Sequence, residues 1–215
     1  MRRLAAVAVC TLVLFSAASR AEEPTTQRTD PKLPDVPGPF HAYNVTNNYN
    51  KDYKHRYHSP ISQFGLEPMV MLFTRETEFS DPLKDLLKQI DNAVEKNPTA
   101  RLHPFLVVQS DALPEVIGVD PDPAAASKDD DKRGELATKL EGESDALMLK
   151  HVDILLAGKA DLAKFNLDNV GFAFYLFQRD KVTAGRVVKK GDKLDDALVK
   201  VIMADLAEKV HATRK

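Results

Sequence analysis

The chain has 215 residues, 43% of them hydrophobic and 29% charged, with 30 Lys+Arg against 32 Asp+Glu. That is globular composition without the basic field of a generic nucleic-acid binder. Its single cysteine, Cys10, excludes a disulfide framework, a cysteine-built zinc site and a dithiol redox pair.

The first 21 residues read as an export signal. Arg2 and Arg3 precede an apolar run, Leu4 to Phe15, and Ser19-Arg20-Ala21 puts small residues where a signal peptidase needs them. The run is shorter than the roughly 18–20 residues of a spanning helix, so no transmembrane anchor is expected once the signal is cleaved. The expected location is periplasmic or extracellular. Cys10 lies inside the run, preceded by Val9, which does not suit lipidation and leaves the mature chain free of cysteine.

Residues 22–39 hold five prolines and little apolar bulk, the composition of a disordered tether. Residues 40–67 form a Tyr/His-rich arm: Phe40 to Thr46 has strand character, Asn47-Asn48 is turn-prone, and YNKDYKHRYHSP follows. One domain is expected over 68–215.

Within it, Met69 to Phe73 is a continuous apolar run typical of a strand covered on both faces. Ser80-Asp81-Pro82 has the hydroxyl, acid and proline of a helix start, and Leu83, Leu86, Leu87, Ile90 and Val94 make one stripe ended by Asn97-Pro98. Leu102 to Val108 is a second strand, with Pro104 marking an edge or a strand start. Residues 111–131 read as a long, solvated acidic loop, with a helix resuming near Arg133 and running to Leu149. Val152 to Leu156 is a short strand and Ala160 to Phe165 a helical turn. Phe172 to Phe177 and Val182 to Val188 form a hairpin, and Leu194, Leu198, Val201, Ile202, Leu206 and Val210 stripe a closing helix.

Strands separated by helices require parallel crossovers, whereas the hairpin is antiparallel, so the sheet is mixed and flanked by helices. This order, with VDILLAGKADLAKFNLDNVGFAFYLFQRDKVTAGRVV over 152–188 and Phe105 to Asp111 before it, resembles the thioredoxin-like superfamily in its peroxiredoxin-like or exported version. The resemblance implies an α/β three-layer sandwich with a mixed central sheet, an N-terminal extension and an inserted acidic loop. It also implies a nucleophilic cysteine after the first core strand and a cis-proline opening the facing strand. Here the first place reads Phe73 to Ser80 without cysteine, and Gly171 takes the second, so thiol exchange has neither element.

Ser59-Pro60-Ile61-Ser62 has the spacing of a C-x-x-C pair with oxygen for sulfur, and also suits a hydroxyl cap on a short helix. Together with Gly171 these serines are the degenerate redox positions. The arm gathers Tyr43, Tyr49, Tyr53 and Tyr57 with Lys51, Lys54, His55, Arg56 and His58, an exposed aromatic-basic composition suited to protein contact. His41, His55 and His58 offer an alternative metal-binding or metalloenzyme reading, without a firm third ligand. Asp129 to Gly134 only partly matches a calcium loop, and Asn44-Val45-Thr46 matches a glycosylation sequon. No nucleotide, serine-hydrolase or zinc-protease motif occurs. The expectation is a redox-inactive binding or structural domain without cofactor, whose partner is another exported or envelope protein.

Overall fold

The computed structural model describes residues 39–111, 113, 123–179 and 181–212, without the side chains of 123–129 and 209–212. The signal and nearly all of the tether lie outside the described residues, as do 114–122 of the acidic insertion.

Seven strands form one sheet. In chain order they are β1 (Ala42–Asn44), β2 (Tyr57–His58), β3 (Met69–Thr74), β4 (His103–Gln109), β5 (Asp153–Ala157), β6 (Val170–Gln178) and β7 (Lys181–Lys189). The helices are α1 (Pro60–Phe64), α2 (Asp81–Lys96), α3 (Pro123–Leu147) and α4 (Asp196–Ala212). The order across the sheet is β2-β1-β5-β4-β3-β6-β7. β3, β4 and β5 run parallel, while β6 lies antiparallel to β3 and β7 antiparallel to β6. A parallel pair joined by a helix, followed by an antiparallel hairpin and a closing helix, is the thioredoxin-like arrangement. β5, reached through α3, is the added parallel strand.

β3, β4 and β5 are buried along their whole lengths, which is why they read as unbroken apolar runs rather than alternations. One face packs Val70, Leu72, Leu106, Ile154 and Phe174 against α2, α3 and α4. The α2 stripe Leu83, Leu86, Leu87, Ile90 and Val94 is buried as its spacing predicts. The opposite layer is thinner: Met71, Phe73, Phe105 and Leu155 are closed over by Phe40, by α1 through Ile61 and Phe64, and by a 3-10 turn at Ala163–Phe165. Phe165 meets Phe40 at 5.2 Å and Phe73 at 4.6 Å between ring centroids.

Several expectations change. The acidic insertion is helical from Pro123, so the Asp129 to Gly134 stretch lies on α3 rather than in a loop. Proline is tolerated in a first helical turn, and the alanines after it favour helix, so the charged turns need no apolar stripe to form. β4 is the central strand; Pro104 sits there because pairing with β5 begins only at Phe105. Ser80 precedes α2 but its hydroxyl makes no capping bond; its N–H donates to the Glu76 carboxylate at 2.8 Å instead. The arm is no free extension, because β1 and β2 extend the sheet beyond β5.

Candidate functional site

In an open α/β sheet the carboxyl ends of the parallel strands are where the fold exposes chemistry. The end of β3 here carries Thr74 and then Arg75. Arg75 Nε donates to the Val170 carbonyl at 3.3 Å, one terminal nitrogen to the Leu167 carbonyl at 3.3 Å, and the other to both Asp111 oxygens at 3.2 Å. A single guanidinium therefore ties together the ends of β3 and β4 and the entry to β6. Gly171 follows at that entry, in a bulged stretch between Val170 and Phe172, and a Cβ there would lie 3.0 Å from the Lys189 carbonyl oxygen. Beside it is a cavity of about 400 Å³ lined by Gln109, Lys159, Leu162, Leu167 and Asp168 among others. Lys159 pairs with Asp168 at 2.9 Å, holding that carboxyl below its usual range and its own ammonium above. Among the described residues the cations here are held by carboxylates and carbonyls.

Sequence reasoning placed the missing thiol in this region but did not single out Arg75. Its position directly after a buried parallel strand was the available signal; Asp111 is 36 residues away and the carbonyls of Leu167 and Val170 are 92 and 95 residues away.

The serines do not join Gly171. Ser59 follows β2 at one edge of the sheet, while Gly171 lies in β6 near the other. Ser59 is buried and its Oγ accepts the Ser62 N–H at 3.4 Å, capping α1, whereas Ser62 is exposed.

The arm's rings divide into two sets. Tyr43 and Tyr57 face each other across the β1–β2 pair at 5.5 Å, and the Arg133 guanidinium of α3 lies 5.1 and 5.6 Å from their centroids. His55, at φ 60° in the left-handed region, stacks on Tyr43 and bonds Glu141 of α3 at 2.7 Å. Burial alone would raise the Glu141 carboxyl, but the bonds from His55 and Lys54 bring it below its usual range. His58 instead stacks on Tyr53 at 3.8 Å, and its imidazole is pushed down by burial and by nearby His41. The structure thus brings His41 toward His58 and sends His55 to α3. Among the described residues no three metal-ligating side chains converge. Arg56 is exposed. The sequon asparagine is unavailable: Asn44 is 3% exposed and its amide donates to the Ala42 and Arg56 carbonyls.

The second set surrounds Tyr49. Its ring meets Phe64 at 5.4 Å and His103 at 4.7 Å, Phe64 stacks on His103 at 3.8 Å, and the Tyr49 hydroxyl lies 3.3 Å from the His151 carbonyl. His103 and Arg101 both hold Glu67; burial nevertheless keeps the His103 imidazole below its usual value. These residues wall an open groove of about 890 Å³, with Lys150 and Glu95 on its far rim.

The order of the sheet and the helices packed on its faces give a thioredoxin-like fold, with Arg75 directly after β3. No family model matches the sequence, and no curated protein matches it. An uncharacterized conserved protein from Geobacillus kaustophilus is similar at 15% identity, with 79% of this chain and 72% of that one covered and a TM-score of 0.49. A secreted Mycobacterium tuberculosis disulfide oxidoreductase homologous to E. coli DsbE is similar at 12% identity over 77% of this chain and 95% of that one, with a TM-score of 0.46. The peroxidoxin BcpB from Mycobacterium tuberculosis is similar at 11% identity over 81% and 96%, with a TM-score of 0.47. Identities this low transfer none of those activities to this chain. Among the described residues no helix is long and apolar enough to cross a membrane.

Proposed function

We propose that this chain is an exported, redox-inactive thioredoxin-like domain that acts by binding another exported or envelope protein at the groove beside its N-terminal arm. The observation that carries this reading is the division of the arm. Tyr43, His55 and Tyr57 are engaged with α3, whereas Tyr49 stays 37% exposed at the groove, and Leu66, between the lining residues Phe64 and Glu67, is 74% exposed. An aromatic wall edged by Arg101–Glu67 and Lys150–Glu95 suits a partner that inserts an apolar or aromatic anchor flanked by charge of both signs. Of the arm's other candidate residues, Tyr53 and His58 pair with each other, and Arg56 and Ser62 lie outermost. Export is supported by the Arg2-Arg3 start, the Leu4 to Phe15 run and Ser19-Arg20-Ala21.

The test combines chemistry and capture. The purified chain from Glu22 onward is expected to reduce neither insulin disulfides nor peroxide. A photo-crosslinking residue at Leu66 is expected to trap a defined partner in the native envelope or secreted fraction, while one at the equally exposed Met148 traps none. Thiol-type turnover, or the same products from both positions, would refute the reading. An N-terminus at Glu22 after expression with residues 1–21 checks export.

A further inference from the structure

Asp153 opens β5 and is completely buried. One carboxyl oxygen accepts the Asn48 N–H at 2.7 Å; the other has no hydrogen-bond partner. The register explains the enclosure. β1 pairs only with Leu155 and Leu156 of β5, so Asp153 is covered by the turn that follows β1. That turn is fastened around it: Val45 and Thr46 donate to the Ile154 carbonyl at 2.9 and 3.1 Å, Ile154 N–H donates to the Thr46 hydroxyl at 2.8 Å, and Asn50 N–H to the Asn47 side chain at 2.7 Å.

Among the described residues no cation faces the carboxyl. From the arm it meets Asn48 and the Tyr49 phenol; from β4 its register partner is Phe105, and His103 nearby has Glu67 and Arg101 as its own charged neighbours. From α2 comes Asp91, another acid, which also faces Tyr49 and is engaged by the amides of Lys150, His151 and Val152. An ionised carboxyl supported by Asn48 alone in such an enclosure is disfavoured, and burial raises Asp153 to about 7 despite the bonding from the Asn48 backbone and side chain. Motion that admits water returns it toward an ordinary carboxylate, so loss of the proton and opening are thermodynamically linked.

We propose that Asp153 is a proton-controlled latch on the 47–50 turn: the neutral acid suits the closed turn, and the ionised acid favours lifting of the turn so that water reaches the carboxyl. Tyr49 lies in this turn, so the latch governs how firmly the groove keeps its aromatic wall. That consequence rests on the binding reading above; the latch itself is observable without a partner.

Amide hydrogen exchange on the full chain at pH 5 and pH 8, corrected for the intrinsic pH dependence of exchange, tests it. Protection of the Asn48, Asn50 and Ile154 amides is expected to fall by up to ~100-fold between the two conditions, and β6 amides are expected to stay better protected than these at both pH values, because the turn opens without the rest of the sheet. Asp153→Asn keeps an acceptor for Asn48 but does not ionise, and is expected to remove the dependence. NMR titration of the Asp153 carboxyl in the unsubstituted chain needs no variant and is expected to show a midpoint near pH 7. A midpoint near 4, protection unchanged with pH, a variant that keeps the dependence, or turn amides as well protected as those of β6 would each overturn the latch. A latch that works in a chain whose Leu66 traps no partner removes the binding reading alone; partner capture without local opening removes the latch alone.

Discussion

Arg75, directly after β3, donates through Nε to the carbonyl of Val170, 95 residues further along the chain, and so ties the end of that strand to the mouth of β6. A guanidinium suits the task because its fork serves several acceptors in one plane. Replacing Arg75 by Met leaves two carbonyls without this donor and is expected to lower unfolding stability by about 1–3 kcal/mol in urea titration. Arg75→Lys restores only part of this, since an ammonium cannot reproduce the fork. Asp111→Asn, on the exposed side of the same contact, is expected to change stability by less than about 1 kcal/mol. Equal costs for Arg75→Met and Asp111→Asn would show that the carbonyl bonds contribute nothing.

Asp91 joins α2 to the start of β5. One of its oxygens accepts the N–H groups of Lys150, His151 and Val152 at 3.0, 2.7 and 3.1 Å. Asp91→Ala strands three donors around a buried position and is expected to cost about 3 kcal/mol or more, whereas Asp91→Asn keeps an acceptor and costs less. Thermal unfolding followed by circular dichroism ranks the two; indistinguishable melting points would count against the account.

Arg133 covers both Tyr43 and Tyr57, so it fastens α3 to the arm through their ring faces while pairing with Asp130 within its own helix. Arg133→Gln is expected to cost about 1–2 kcal/mol and to raise protease sensitivity within α3. The companion Tyr57→Leu retains apolar cover but no π face, and combining it with Arg133→Gln is expected to add little. Full additivity in the double-variant cycle would contradict direct coupling.

The burial of Asp153 also sets the pH dependence of global stability. Its folded value is raised to about 7 from 3.8, so its favourable contribution is complete below pH 3.8 and is lost as pH rises through 7. The full loss is at most about 4 kcal/mol. Glu141, lowered by His55 and Lys54, works in the opposite sense, and its contribution disappears as pH falls through its folded value. His58 and His103, both held low by burial, add stability as pH rises, so urea midpoints for the parent are expected to decline from pH 5 to 8 relative to those of Asp153→Asn. A parent midpoint that rises over this range as much as the variant's contradicts the sign.

The central strands were legible because burial on both faces leaves nothing polar to interrupt Met69 to Phe73 or Phe172 to Phe177. The α2 stripe was equally plain. β1 showed as the β-branched and aromatic stretch Phe40 to Thr46 but without its bounds: three residues carry too little alternation, and the buried Asn44 is polar because its amide serves neighbouring carbonyls. α3 hid its beginning because among its described side chains the buried apolar positions, Ala137, Leu140 and Leu147, lie in the second half. At the site, the Ser59 cap is local and could be anticipated, while the links of Arg75 to Val170 and of Arg133 to two tyrosines join distant stretches that no spacing rule connects.

The pairing of Tyr43 with Leu156 places more than a hundred residues between the arm and the strand it needs. At ribosomal speed of about 5–20 residues per second, the arm waits roughly 6–20 seconds for β5 to be made. During synthesis, therefore, the sheet cannot close from its N-terminal side, and the arm emerges well before the strand that holds it. The newborn chain remains an open thread for that interval, with its tyrosines accessible to whatever escorts it.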